Sequence, residues 1–383
     1  MALHLRIACA TWLLLLLTLP GAVQAQFQYS INNGTAAITG YNGPEDVLTI
    51  PSMLNGLPVT SIGVSAFDSR ISLTSVTIPD SVTTISGKAF VSCGGLTSVA
   101  IGHGVTRIGY YAFYACTNLA NITIPDSVTT MEEGVFSTCS SLTSVTIPSS
   151  LTGVAEGAFY ACTSLASVTI PDSVTALGSG AFAHCTSLIN ITIPDSVTSL
   201  GGHSAFEYCT SLTSVTIPES VTNIGSTGFY GCTELTNITI PQSVTKIGDY
   251  AFSSCSGLRA VYFQGGAPNL GDGAFGASEL STIFYLPGTV GWGLKFGGRP
   301  TTPWVLPYPL ILKTGTSLGA DANGFGFIIS WATNNSVVVE ASPSLTKPVW
   351  SPVATNTLTG GSSYFADPQW TKYSNRFYSL RSL

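Results

Sequence analysis

The chain has 383 residues, of which 45% are hydrophobic and only 8% are charged, and its formal net charge is −6. This length exceeds one ordinary globular domain, and so low a charge content leaves solubility to hydroxyl and backbone groups. No cluster of lysine or arginine occurs in the sequence, which argues against binding to nucleic acid or to an anionic membrane surface.

The first 25 residues have the pattern of a secretory signal peptide. His4 and Arg6 give a positive start, residues 8–19 form an apolar core, and residues 23–25 (Val-Gln-Ala) supply a small-residue cleavage site before Gln26. A membrane anchor is the alternative, but the apolar core is shorter than the ~20 residues that a spanning helix needs. The sequence therefore predicts a secreted or cell-surface protein with no transmembrane segment after the signal is removed.

Residues 26–46 predict an N-terminal β-hairpin that caps the following repeats. Asn32-Asn33-Gly34 is a favourable tight turn, because asparagine and glycine tolerate the positive φ that such turns require. The turn lies between two short runs of alternating apolar residues, and these runs predict the paired strands.

A repeat dominates residues 47–286. Cysteine recurs at intervals of 23 residues, once 24, and phenylalanine keeps the same period three residues earlier. A period of this length is typical of a solenoid of about ten coils, in which each coil buries its apolar face only against its neighbours. We expect the two files to form the structural core. They consist of Cys93, Cys116, Cys139, Cys162, Cys185, Cys209, Cys232, Cys255, Phe90, Phe113, Phe136, Phe159, Phe182, Phe206, Phe229 and Phe252.

Each coil begins with the pattern Leu-x-x-Val-x-Ile, as at Leu142, Val145 and Ile147. Strand alternation points these apolar residues inward and sends Ser144 and Thr146 to solvent. The proline that follows cannot donate to a ladder and ends the strand, and Pro-Asp-Ser then favours a turn. A second short extended segment follows, and Ala-Phe-x-x-Cys has room for no more than one helical or 3₁₀ turn.

The eight regularly spaced cysteines are expected to be free, buried thiols. Secretion alone would favour a disulfide framework. However, cysteines in the same position of stacked coils lie side by side at ~5 Å, and parallel side chains rarely reach the torsion of about 90° that a disulfide needs. Partial pairing stays open as an alternative. Zinc binding is disfavoured because a line of ligands does not converge.

The pattern changes at both ends of the repeat. Arg70 occupies the first cysteine position and Ser278 the last. Residues 287–309, rich in glycine, proline and tryptophan, predict a closing cap and linker. From residue 310 to residue 383, short β-rich runs separated by Gly, Asn and Pro turns predict a small antiparallel β-sandwich.

The motif Leu-Thr-Ser-Val-Thr-Ile-Pro-Asp-Ser-Val-Thr-x-Ile-Gly-x-x-Ala-Phe-x-x-Cys resembles the BspA-type leucine-rich repeat family, over residues 48–286. The resemblance implies a mainly β leucine-rich repeat solenoid with a parallel sheet. It also implies a secreted or surface-displayed bacterial protein, since some members are implicated in adhesion to host matrix or to other cells. It implies no catalytic residue and no cofactor. The C-terminal region is similar to end domains that follow such repeats in exported bacterial proteins.

Two short motifs suggest chemistry that their surroundings do not support. Residues 315–319 spell the Gly-x-Ser-x-Gly nucleophile elbow, but every histidine precedes Ser317 and the following residues are not helical. Residues 271–276 spell Gly-x-Gly-x-x-Gly, but they belong to the turn of the tenth coil and have no βαβ unit around them. The sequence therefore predicts that the protein is not an enzyme.

Acidic and histidine side chains in the turns offer little for a metal site. Asp172, Asp195 and Glu219 recur in one turn position and could share a cation, but turn formation explains them. His184 and His203 lie on adjacent coils in different positions, where we expect a solvated turn residue and a bulge residue. We predict no metal or cofactor.

The solvent side of the main sheet carries Ser/Asn-x-Thr on successive coils and is the predicted binding surface. Its residues are Ser75, Thr77, Asn121, Thr123, Ser144, Thr146, Ser167, Thr169, Asn190, Thr192, Ser214, Thr216, Asn237 and Thr239. Regular hydroxyls of this kind also resemble the ice-facing side of antifreeze solenoids, although threonine is a good strand former that needs no ligand. Tyr114, Tyr160 and Tyr230 could stack on sugars, but their spacing is irregular.

Together these features predict an exported, monomeric, non-enzymatic binding or adhesion protein. The partner is expected to be an extracellular protein or a glycan that contacts the extended solenoid surface. A structural surface-layer or spacer protein that presents the C-terminal domain is the alternative. An ice- or mineral-binding sheet is a minor alternative.

Overall fold

A computed structural model of the chain describes residues 26–44, 46–312, 318–321 and 324–383. The predicted signal peptide and Ser317 of the elbow motif lie outside the described residues. Among the described residues, no helix is long and apolar enough to cross a membrane. Helical structure in this part of the chain amounts to one 3₁₀ turn at Trp370–Lys372.

The chain enters the repeat through two hairpins. The five N-terminal strands are β1 (Phe27–Asn32), β2 (Thr35–Tyr41), β3 (Val47–Thr49), β4 (Met53–Leu54) and β5 (Leu57–Ile62). Asn33 and Gly34 join β1 to β2 with φ values of 48° and 76°, which is the left-handed geometry that tight hairpins favour. Strand β2 then pairs in parallel with β5, so the first hairpin extends one sheet of the solenoid.

Each coil contributes one strand to each of two parallel layers. In chain order the strands are β6 (Ser75–Thr77), β7 (Thr84–Ile85), β8 (Ser98–Ala100), β9 (Arg107–Ile108), β10 (Asn121–Thr123), β11 (Thr130–Met131), β12 (Ser144–Thr146), β13 (Gly153–Val154), β14 (Ser167–Thr169), β15 (Ala176–Leu177), β16 (Asn190–Thr192), β17 (Ser199–Leu200), β18 (Ser214–Thr216), β19 (Asn223–Ile224), β20 (Asn237–Ile240), β21 (Lys246–Ile247), β22 (Ala260–Phe263), β23 (Asn269–Leu270), β24 (Thr282–Tyr285), β25 (Lys295–Phe296) and β26 (Arg299–Pro303). From β6 onward the even-numbered strands form the first layer and the odd-numbered strands up to β23 the second, while β25 pairs antiparallel with β26. This arrangement confirms the predicted solenoid.

Equivalent residues of successive coils lie directly opposite each other. Val145 of β12 is paired with Val168 of β14, and Val154 of β13 is paired with Leu177 of β15. Hydrogen-bonded ladders divide the first layer into four groups, which are β3-β6-β8-β10, β12-β14, β16-β18 and β20-β22-β24-β26. The repeat therefore keeps one register along its length while its ladder is interrupted.

A continuous stack of phenylalanine rings runs through the core from Phe67 to Phe275. Neighbouring ring centroids are 4.9 to 5.8 Å apart and ring planes differ by 2° to 14°. Every ring of the stack is essentially inaccessible to solvent. Aromatic pairs at this separation add about 0.5–1.5 kcal/mol to the gain from burial. The stack joins each coil to the next.

The cysteine file lies beside this stack. All eight cysteines are buried and unpaired. Each thiol donates to the carbonyl oxygen of the phenylalanine in the preceding coil, with sulfur–oxygen distances of 3.0 to 3.2 Å. Ser278 makes the same contact to the carbonyl of Phe252 at 2.7 Å. The thiol therefore acts as a polar link between coils as well as a small core residue.

The predicted turn around Ala-Phe-x-x-Cys contains two residues in the left-handed region. They stand four positions apart, as Gly134 (φ 61°) and Thr138 (φ 58°) do. Phe136, which lies between them, and Thr138 itself donate their N–H groups to the next coil, at 2.9 and 2.6 Å. These positions are repeated in every coil, so the turn faces its neighbours with its backbone groups satisfied.

The C-terminal region forms two antiparallel sheets around a core of its own. Its strands are β27 (Leu310–Leu312), β28 (Leu318–Asp321), β29 (Gly324–Ser330), β30 (Ser336–Ser342), β31 (Ser351–Thr357), β32 (Ser362–Asp367) and β33 (Phe377–Ser382). Strand β29 pairs with β27, β28 and β32, and β30 lies between β31 and β33. Phe327, Val337 and Phe365 are among the buried residues that both sheets share. This confirms the predicted antiparallel C-terminal region.

Candidate binding surface

The outward side of the first layer presents short polar side chains along the solenoid. We call the fourteen residues predicted as a binding surface the strand face. All of them are exposed except Ser75 and Thr239, which are half-buried. Buried residues such as Val145 and Ile147 alternate with them and fix their direction. The surface is therefore held on a rigid core.

Hydroxyl groups elsewhere on the coil link one coil to the next. Thr106, Thr129 and Thr175 each donate to the carbonyl oxygen of the threonine one coil earlier, at 3.1 to 3.3 Å. Ser173 and Ser196, in the Pro-Asp-Ser turn, donate to preceding carbonyls at 2.8 and 2.7 Å. These hydroxyls are already hydrogen-bonded within the solenoid, and we call them bracing hydroxyls.

The strand face is different because its polar groups are almost entirely unused. Ser75 accepts a hydrogen bond from Ser98 at 3.0 Å, and Asn237 donates to Thr236 at 3.1 Å. No other strand-face side chain bonds to the protein within the described residues. Each free threonine hydroxyl offers one donor and two acceptor positions to solvent or to a ligand.

Two shallow clefts lie where the strand face meets the proline turns. One has a volume of about 640 Å³ and is lined by Asn121, Thr123, Thr146 and Asp126 among others. The second, about 450 Å³, lies farther along the same face and is lined by residues that include Glu219. These volumes fall in the range of small-ligand sites. The clefts make the strand face uneven rather than flat.

Two of the acidic turn residues link one coil to the next through hydrogen bonds. Asp80 accepts the N–H of His103 at 2.7 Å, and Asp126 accepts that of Ser149 at 3.3 Å. In the part of the chain that the structure describes, no group of three or more His, Cys, Asp or Glu side chains could hold a metal ion.

At its C-terminal end the strand face becomes aromatic. Thr239 is paired with Tyr262, and Tyr262 is paired with Phe284, so aromatic rings replace the threonines of the same row. Tyr262 lies 4.9 Å from Phe284 and 4.8 Å from Trp304, centroid to centroid. Sequence reasoning missed this cluster, although the replacement of Thr by Tyr262 and Phe284 at the repeat position was its signal.

A second aromatic row lies on the turns. His184 lies between Tyr160 and Tyr208, with centroid distances of 5.1 and 4.9 Å, and Tyr208 contacts Tyr230 at 5.2 Å. The prediction of a solvated His184 is therefore wrong, because the ring is half-buried between two tyrosines. The row looked irregular in sequence because its members occupy two neighbouring positions of the repeat.

The repeat region matches a known protein family. A family model described as the BspA-type leucine-rich repeat region matches residues 60–189 and 177–290. Similar solved structures include a leucine-rich cell surface protein from Faecalibacterium prausnitzii, which is 30% identical over 63% of this chain and 93% of that chain, with a TM-score of 0.38. A leucine-rich repeat protein from Bacteroides ovatus is 22% identical over 73% of this chain and 98% of that chain, with a TM-score of 0.37. A comparison with curated proteins finds no match.

Proposed function

The chain belongs to the BspA-type leucine-rich repeat family, and from this premise we propose that it is an exported, non-enzymatic adhesion protein. Its strand face contacts an extracellular protein or glycan. The observation that carries this function is the contrast between two sets of hydroxyls. The bracing hydroxyls bond to neighbouring coils, whereas all strand-face hydroxyls except that of Ser75 have no protein partner among the described residues. The predicted signal peptide supports export.

The geometry of the strand face suits a long, repetitive contact. Equivalent side chains on parallel strands recur at about 4.8 Å. A single hydrogen bond contributes only about 0.5–1.5 kcal/mol net, so useful affinity requires contacts over several coils. Because the scaffold already fixes the side chains, little ordering free energy opposes binding.

The test removes hydroxyls without changing shape. In a variant with Thr123→Val, Thr146→Val and Thr169→Val, the cleft of about 640 Å³ loses three hydroxyl groups. Valine preserves strand propensity. On an array of glycans and matrix proteins, the wild-type chain from Gln26 onward is expected to bind at least one class, and this variant is expected to lose at least tenfold in affinity for it.

A matched variant carries the same three changes at bracing positions, Thr106→Val, Thr129→Val and Thr175→Val. These residues are also exposed. The control is expected to melt at a lower temperature, because coil-to-coil hydrogen bonds are lost, and to bind as the wild type does. Equal binding by wild type and both variants would show that the strand face is not the contact surface.

The independent core of the C-terminal region favours a second candidate, in which the solenoid is a spacer that presents this region. Residues of β29, β30 and β32 form that core. Deleting residues 310–383 distinguishes the two functions. If the truncated solenoid still binds, the spacer function is excluded, whereas loss of binding with an intact solenoid would favour it.

A further inference from the structure

A groove of about 550 Å³ crosses the turns, on residues that are separate from the strand face. We call it the turn groove. Its floor contains Gly134, Gly157 and Gly180, which occupy the same position of three successive coils. The corresponding residue is Tyr111 one coil earlier and Ser204 one coil later. The absence of side chains at Gly157 and Gly180 opens the groove, because a Cβ atom added at either position would meet no atom closer than 3.8 Å.

Tyrosine rings line the groove at one end and in its middle. A Cβ atom on Gly134 would come within 2.2 Å of the Tyr111 ring, so this ring lies across the glycine backbone. Tyr114 lies perpendicular to it, with ring centroids 5.6 Å apart. In the middle coil of the groove Tyr160 is 40% exposed while it packs against His184. The groove therefore offers aromatic surface that the core does not use.

The charged side chains that line the groove are all acidic. Glu133, Glu156 and Glu207 line it, and no lysine or arginine does. Glu133 accepts a hydrogen bond from the Tyr111 hydroxyl, whereas the carboxylates of Glu156 and Glu207 have no partner within the described residues. His203 is the remaining ionisable lining residue besides the tyrosines, and it is exposed.

We propose that the turn groove binds a basic segment of a partner protein, with an arginine or lysine side chain placed between the tyrosine rings and the glutamates. A guanidinium group can stack on a tyrosine face and donate to a carboxylate at the same time. A neutral glycan could use the rings but would leave the unpartnered carboxylates uncompensated. Charge complementarity therefore selects a cationic ligand. This site is independent of the strand face.

The test uses two peptides of the same length, acetyl-Gly-Arg-Gly-Arg-Gly-amide and its counterpart with citrulline in place of arginine. Binding to the chain from Gln26 onward is measured by calorimetry at low and at physiological salt. The arginine peptide is expected to bind at least tenfold more tightly, and its affinity should fall as salt rises. Equal binding of both peptides would overturn the proposal, as would binding of neutral glycans that Glu156→Gln and Glu207→Gln leave unchanged.

Two pairs of variants assign the contacts. Glu156→Gln with Glu207→Gln is expected to weaken the arginine peptide at least tenfold, while Glu234→Gln with Glu279→Gln removes the same charge from exposed turns outside the groove and should change little. Equal effects of the two pairs would mean that only overall charge is sensed, and would overturn the site.

The second pair of variants distinguishes the effect of moving a tyrosine ring in the groove from the effect of backbone strain. Gly134→Ala displaces the Tyr111 ring, and Gly273→Ala displaces Tyr250 at the same repeat position outside the groove. Their φ values are 61° and 59°, so the strain is matched. Both are expected to lose similar stability, and Gly134→Ala alone should weaken the peptide. The strand-face variant, with valine at Thr123, Thr146 and Thr169, should bind the peptide normally. A negative result for one surface therefore does not decide the result for the other.

Discussion

The cysteine position shows how one residue type meets two demands of a stacked coil. It must be small and apolar enough for the core, and it must donate to the phenylalanine carbonyl of the coil before it. Arg70 holds this position in the first coil, which has no earlier repeat phenylalanine to bond. Ser278 holds it in the last and keeps the bond to Phe252. The repeated cysteine therefore stabilises the stack as a buried, hydrogen-bonded thiol and not as part of a disulfide framework.

Alkaline pH is expected to destabilise the solenoid through these thiols. Burial raises the pKa of Cys93, Cys162, Cys209 and Cys255 to about 12, and that of the other four well above its usual value. Unfolded cysteine titrates near ~8.5. Above this pH the folded chain keeps thiol protons that the unfolded chain releases. The stability that the buried thiols contribute is therefore fully present below pH ~8.5 and is lost as the pH rises towards 12. The free energy of unfolding falls by about 1.4 kcal/mol for each thiol and each pH unit.

Thermal melts followed by circular dichroism between pH 7 and 10.5 check this expectation. The melting temperature should fall steeply above pH ~8.5, and less steeply in a Cys139→Ser, Cys162→Ser and Cys185→Ser variant, because serine does not titrate there. A thiol reagent should label the eight cysteines only after unfolding. A melting temperature that stays constant to pH 10.5 would contradict the assignment.

At the scale of the turn element, left-handed backbone positions carry residues that do not favour them. Thr138 has φ 58°, is β-branched, and has a buried hydroxyl with no hydrogen-bond partner among the described residues. The left-handed conformation costs an L-residue about 1–2 kcal/mol, whereas glycine adopts it freely. The same position is glycine in a later coil, at Gly231 (φ 70°).

Thr138→Gly is therefore expected to stabilise the protein by about 1 kcal/mol, since relief of strain outweighs the larger backbone entropy that glycine brings to the unfolded state. Thr123→Gly, on a strand, should instead destabilise by about 0.5–1 kcal/mol. Urea unfolding of both variants measures the two changes. A loss of stability in Thr138→Gly would show that the side chain makes a contribution that the hydrogen-bond pattern does not reveal.

The strands were predictable from sequence because each depends on the side-chain pattern within one coil. The inward direction of Val145 and Ile147 follows from the Leu-x-x-Val-x-Ile pattern of their own coil. The left-handed pair was not predictable, since its positions hold residues as different as Lys88, Tyr111 and Thr227. Nor could the sequence tell a bracing threonine from a free one. Both stand in similar extended segments, and only the stacking of coils decides which hydroxyl reaches a carbonyl.

The C-terminal sheets are also stabilised by a part-buried ion pair. Arg376 lies 2.5 Å from Asp367, and the Tyr378 hydroxyl donates to the same carboxylate at 3.0 Å. Burial alone would raise the pKa of Asp367, but hydrogen bonds from the Gln369 N–H, Arg376 and Tyr378 outweigh it and lower the pKa. Arg376 also stacks on Tyr373 at 4.1 Å.

Asp367→Asn is expected to destabilise the C-terminal region by about 1.5–3 kcal/mol, because the Arg376 guanidinium and the Gln369 N–H lose their hydrogen bonds to a charged carboxylate. In the wild type this contribution is present above the unfolded pKa of ~3.9 and is lost as pH falls through the lower folded value. The measurement is an acid titration followed by near-ultraviolet circular dichroism, to which Trp370 contributes. The signal is expected to change as the stabilisation by the ion pair is lost. An Asp367→Asn, Arg376→Met double variant that is no more stable than Asp367→Asn would contradict the ion-pair explanation.

At the scale of the whole molecule, the coil is the unit of stability. A coil contacts only its neighbours, and equivalent residues face each other in every layer, so one coil can replace the next in the stack. The interrupted ladder of the first layer does not present one continuous lattice, which disfavours ice binding for the strand face. For the proposed adhesion, the length of the solenoid is important because many weak contacts along the strand face add up to one useful affinity.

Removing single coils is expected to separate the two proposed surfaces. Deleting residues 210–232 places Cys209 before Thr233, in the original register, and brings Phe206 against Phe252. This deletion removes Ser214 and Thr216 from the strand face and leaves every residue of the turn groove in place. The shortened chain should fold, melt at a somewhat lower temperature, bind the strand-face ligand more weakly and bind the arginine peptide normally.

Deleting residues 140–162 supplies the comparison, because this coil contributes Ser144 and Thr146 to the strand face and Glu156, Gly157 and Tyr160 to the turn groove. Both kinds of binding are expected to fall, with the fold preserved as judged by circular dichroism. Normal peptide binding after this deletion would exclude the turn groove as the basic-segment site. Because both deletions remove 23 residues in register, a difference between them reports which surface of the coil was lost and not the length of the solenoid.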